Sequence, residues 1–132
     1  MGKTEPSSPP HKVSWTTVAL VLGAASYFAV LYRFQTYSQR NATSQTTWIV
    51  FSAIMFVLGV VLGWVASTSF LRTGTFMVLG VFAAHSVVIY LDTMEDPTNH
   101  NLLPFEFIIY FVLSSPAYLG VLMSRIVKRF SQ

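Results

Sequence analysis

There is no cysteine in this chain. That excludes disulfides, thiolate nucleophiles, zinc–thiolate centres and iron–sulfur clusters, and it says nothing about redox compartment. Charge is the second shortage. Charged residues make up 10% of the 132 residues, where a soluble domain carries about 25%. Catalytic motifs are missing too. No G-x-S-x-G elbow, H-E-x-x-H run or glycine-rich phosphate loop occurs. The net charge of +3 is scattered rather than gathered into a patch, so nothing points to a nucleic-acid partner.

What remains is apolar, at 53% of residues. It is arranged in four runs: Val13–Tyr32, Thr47–Ser67, Gly74–Leu91 and Pro104–Ser124. Each is close to the ~20 residues that cross a ~30 Å hydrocarbon core. Only the fourth holds a formal charge, Glu106, near its start. The fold class expected is therefore all-α, an integral-membrane four-helix bundle over residues 13–124. A polar, proline-rich tail (1–12), expected to be disordered, precedes it, and a basic tail (125–132) follows. The lipid bilayer is the first partner implied.

Lysine and arginine set the expected orientation. Lys3, Lys12, Arg72, Arg125, Lys128 and Arg129 fall on one side of the bilayer, and Arg33 and Arg40 on the other. The excess puts both termini in the cytoplasm. Trp15 and Trp64 would then lie at the inner interface, and Tyr32, Trp48 and Tyr90 at the outer one. The first span continues through "YFAVLY" to Tyr32, longer than a signal-peptide apolar region, so an uncleaved helix is expected. Asn41-Ala42-Thr43 is a glycosylation sequon in the outer first loop, a weak signal on its own.

Small residues recur at helical spacing. They are Gly59, Gly63 and Ser67 in the second span, Gly80 and Ala84 in the third, and Gly120 and Ser124 in the fourth. Lipid is as apolar as leucine, so membrane helices associate through such close-approach faces. Contacts within one bundle are the plain expectation, and a seam to a second copy or another membrane subunit is the other. Pro116, inside the fourth span, cannot donate to Val112, so a kink is expected there, with Ser114 or Ser115 serving the freed carbonyl.

Ionisable residues at membrane depth mark function by default. His85 is in the third span, with Asp92 seven residues on along the same face. Glu106, Tyr110 and Ser114 recur every fourth residue of the fourth span. If the third and fourth spans form a hairpin, Asp92 and Glu106 lie at the outer mouth with His85 and Tyr110 below. Such a ladder suits protons or a cation. The plainer alternative is a neutral His85 bonded to Tyr110 or Ser86, with the acids in water and Glu106 at the positive end of its helix.

A loop metal set of Asp92, Glu95, Asp96 and His100 lacks any diagnostic spacing, so no metal site is assigned. Haem held by two histidines is not expected, because only His85 lies at membrane depth. No cofactor is indicated by motif. The sequence alone favours a non-catalytic accessory or assembly subunit packed on a larger membrane complex. Its alternative is a small oligomeric proton- or cation-coupled carrier using His85 with Asp92 and Glu106.

Overall fold

The computed structural model describes residues 2–4, 13–33 and 35–132. The expected N-terminal tail therefore lies mostly outside the described residues. Among the described residues the protein is an all-helical bundle with four segments long and apolar enough to cross a membrane.

Helix α1 (Trp15–Ser26) starts at Ser14, whose hydroxyl accepts from the amide of Thr17. It runs on as a π-helical segment, Tyr27–Tyr32, and stops at Arg33 in the left-handed region (φ 47°). A short helix, α2 (Tyr37–Ala42), is fixed by a capping box between Thr36 and Gln39. Helix α3 (Ser44–Val65) returns across the bundle. Helix α4 (Phe70–Glu95) starts from the hydroxyl cap of Ser69. The last span is α5 (Leu103–Ser114) followed by α6 (Pro116–Phe130).

The two most extensive seams join α1 to α4 and α3 to α6. Both join helices that run in the same direction, and neither is a sequence hairpin. Glycines explain the choice. A Cβ on Gly59 would strike the backbone of Ala117, and one on Gly120 the backbone of Phe56 and Val60. A Cβ on Gly63 would meet Val121 and the Ser124 hydroxyl. In the other seam Gly23 lies on Met77, and Gly80 on Leu20 and Ala24. Backbones touch at these points, which is how helices gain dispersion contact in lipid. Helices α4 and α5–α6 do adjoin as an antiparallel pair, but without this closeness. Ala84 is buried in the core, whereas Ser67 lies beyond the end of α3 and is exposed. The stripe of the second span thus ends at Gly63.

The break before Pro116 falls at Ser115. The Val112 carbonyl, which proline leaves without its usual i+4 amide, accepts from the Ser115 hydroxyl (2.7 Å) and the Ser115 amide (3.3 Å). Residues 125–130 continue α6 rather than forming a separate tail. There Lys128 donates to Trp64 O (3.0 Å) and Arg125 to Ala66 O (3.3 Å), so two cations serve the carbonyl end of α3.

The chain direction defines two ends. One holds Trp15, Phe130 and the α3–α4 connection. The other, the loop end, holds α2 and the segment 96–102. The candidate site is at the loop end.

Candidate functional site

Helix α4 runs past the expected end at Leu91 to Glu95. The chain must then come back down to start α5. Asp96 makes the turn: its Oδ1 accepts from the amide (2.9 Å) and the hydroxyl (2.8 Å) of Thr98. Those two donors hold its exposed carboxyl below the ordinary 3.8. Asn99 ties the loop to the helix through Asp92 O (3.2 Å). His100 then adopts φ 60°, a left-handed conformation that few side chains take without support. That conformation turns its imidazole inward, where the residue is only 7% exposed.

The imidazole of His100 lies between two acids. Its Nε2 is 2.6 Å from Asp92 Oδ2, and its Nδ1 is 2.6 Å from Glu106 Oε2. Asp92 Oδ2 also takes the guanidinium of Arg40, from α2. Arg40 is held in turn by Gln35 O (2.6 Å) and by the rings of Tyr32 and Tyr37, 5.0 and 5.9 Å away. Tyr37 packs edge-on against His100 at 4.8 Å.

Below this layer is His85, fully buried. It is about 15 Å down the axis from Glu95 at ~1.5 Å per residue. Its Nδ1 is 2.6 Å from the hydroxyl of Tyr27, the first residue of the π-helical segment. Its Nε2 is 3.1 Å from Glu106 Oε2 but out of line, so this buried nitrogen has no hydrogen-bond partner. The ring of Tyr110 lies 4.3 Å from His85 and 5.5 Å from Tyr27.

A continuous polar path therefore runs Arg40, Asp92, His100, Glu106, His85, Tyr27. It draws on α2, α4, the loop, α5 and the π-helical end of α1. Beside it is a cavity of about 110 Å³, lined among others by Tyr27, Arg40, His100, Glu106 and Tyr110. Polar and apolar groups share its walls, and that volume suits water or a small ion rather than an organic substrate.

His85, Asp92, Glu106 and Tyr110, expected from sequence as one ladder, are brought together. Two expectations need correction. His85 bonds neither Tyr110 nor Ser86; its partner is Tyr27, and Ser86 donates to Phe82 O instead. Nor do the acids sit in water: Asp92 is 4% exposed and Glu106 is half-buried. The loop metal set does not converge, since Glu95 and Asp96 face solvent. Among the described residues the convergent donors are His85, His100 and Glu106, one atom of each lying within 4.8 Å of the others. Asn41 is exposed on α2, and its sequon hydroxyl, on Thr43, accepts from Arg33.

Against known protein families, curated proteins and solved structures, the chain matches none.

Three members of the path were not singled out from sequence: Tyr27, Arg40 and, as a core residue, His100. Arg40 offered a faint signal, as a basic residue in a loop with no acid. Its acid is 52 positions away.

Proposed function

We propose that the protein is a small, non-catalytic cation-binding membrane protein that acts as a carrier, with its binding end at the α2 and 96–102 end of the bundle. The accessory-subunit reading rests on apolar helices, small-residue faces, polar tails and a membrane interior with little chemistry, and a cluster of two acids, two imidazoles and a guanidinium at one end of the bundle weighs against the last of these. Burying ionisable groups is expensive, and in membrane proteins they mark ion or substrate sites.

One observation carries the reading. The nitrogens of His85 and His100 approach the same carboxylate oxygen, Glu106 Oε2, at 3.1 and 2.6 Å. Three electron-rich atoms gathered at one point favour a positive guest. Arg40 does not compete for that role, because its charge is matched by Asp92.

The test is flux. The purified protein is reconstituted in vesicles loaded with cation-sensitive dyes and challenged with monovalent and divalent cations in turn. Flux of one cation class, lost in Glu106→Gln, is the expected result. Wild-type vesicles as tight as protein-free ones to every cation would overturn the carrier role.

A further inference from the structure

The geometry points to a specific guest: His85 Nε2, His100 Nδ1 and Glu106 Oε2 form a site for a divalent transition-metal ion of the zinc class. This rests on the cation-binding reading and names its ligand and its donors.

The first ground is the orientation of the two imidazoles. A metal-bound histidine gives one nitrogen to the ion and donates the other N–H to an outer partner, which fixes the ring. Both histidines are held that way. His85 has the Tyr27 hydroxyl on Nδ1, leaving Nε2 to face Glu106. His100 has Asp92 on Nε2, leaving Nδ1 to face Glu106. Asp92 is itself anchored by Arg40. Carboxylate–histidine pairs of this kind raise the basicity of the ligating nitrogen.

The second ground is the orphaned nitrogen. His85 Nε2 is fully buried, 3.1 Å from Glu106 Oε2 and without a hydrogen-bond partner. A proton between His100 and Glu106 would satisfy those two atoms and leave His85 Nε2 as it is. A metal ion serves all three at once. A buried polar atom without a partner is destabilising, and a bound ion would remove that cost.

Distances allow it. Ligands of a tetrahedral ion held at about 2.0–2.1 Å stand roughly 3.3 Å apart. The His85–Glu106 separation is already 3.1 Å, the His100–Glu106 pair, at 2.6 Å, must open by less than 1 Å, and the two imidazole nitrogens, within 4.8 Å of each other, must come to the same spacing. The ion class follows from the donors. Two imidazoles with one carboxylate suit zinc, cobalt, nickel or ferrous iron, whereas magnesium and calcium prefer all-oxygen shells. The three protein ligands leave a fourth position. The adjoining cavity of about 110 Å³, which Glu106 and His100 both line, gives that position to water and gives the ion a way in.

Cobalt is the probe, because Co²⁺ in a low-symmetry nitrogen–oxygen site absorbs visible light. The full-length protein in mild detergent is titrated with Co²⁺ and then with Zn²⁺. One equivalent of Co²⁺ should give visible bands that Zn²⁺ abolishes. His85→Ala, His100→Ala and Glu106→Gln should each weaken binding at least about 100-fold. Glu95→Gln, an exposed acid at the end of α4, should leave it unchanged. A ligand variant that loses its helical circular dichroism is replaced by Tyr27→Phe, which keeps all three donors and should weaken binding by about 10-fold or more.

Three results would overturn the assignment: no Co²⁺ bands at saturating metal, bands unmoved by every ligand variant, or bands lost equally in Glu95→Gln. Flux without Co²⁺ binding would sink this site and leave the carrier reading standing. Co²⁺ bands with no flux would support the site and sink the carrier role.

Discussion

Arg40 and Asp92 show how much of this protein is decided by single side chains. Both are largely buried, with side chains 12% and 6% exposed. Removing one member of a buried ion pair strands the other and costs about 3–5 kcal/mol. Arg40→Ala should therefore lower stability in detergent by that order. Arg40→Met with Asp92→Leu together should cost clearly less than the sum of Arg40→Met and Asp92→Leu alone. Additive losses in unfolding measurements would mean that the two residues do not depend on each other. Asp96 offers a contrast, because it is charged but fully exposed. Thr98 lowers its pKa, so the contribution of the folded turn is complete above the unfolded value and is lost as pH falls below about 3.8. Thr98→Val removes one of the two donors. The carboxyl midpoint, read by NMR, should rise towards 3.8, and an unmoved midpoint would show that the hydroxyl contributes nothing.

At the scale of the element, the membrane spans were legible and their pairing was not. Length and the scarcity of charge were enough to find four helices, because a bilayer demands both. Small-residue stripes were visible on the second, third and fourth spans, yet a stripe does not say which stripe it meets. Only the close approaches of Gly59 to Ala117 and Gly80 to Leu20 reveal the parallel seams. Gly59→Val should push α3 from α6 and cost about 1–3 kcal/mol by overpacking. The same change at exposed Ala53, on the outer face of α3, should be nearly neutral. Equal effects in thermal unfolding would contradict the seam. The turn before α5 was readable as Asp-Pro-Thr-Asn, but not the inward fold of His100. That depends on a left-handed backbone at a non-glycine residue, which composition does not disclose. The π-helical segment that positions Tyr27 was equally silent, because "YFAVLY" reads as ordinary apolar helix. Wider helical turns of this kind often occur at functional sites.

At the scale of the whole molecule, the site lies where chain segments far apart in sequence meet, which is why it was only half visible. His85, Asp92 and Glu106 share a helix face or a hairpin, so spacing alone brought them near one another. Tyr27 and Arg40 enter from the first span and its loop, through contacts 58 and 52 positions long. Both termini in the cytoplasm is the expectation from counting lysine and arginine at the two ends. Because the chain has no native cysteine, one introduced thiol reports cleanly. Glu95→Cys should react with a membrane-impermeant maleimide added outside intact cells, and Ser131→Cys should not. The reverse pattern would invert the topology.

The most direct test of the account is X-ray absorption at the zinc edge on the purified protein loaded with one equivalent of Zn²⁺. The account predicts a first shell at about 2.0–2.1 Å of nitrogen and oxygen only. Two imidazole rings should be visible in the outer scattering, with one of them lost in His100→Ala. A shell of oxygen alone, with no imidazole scattering, would contradict it.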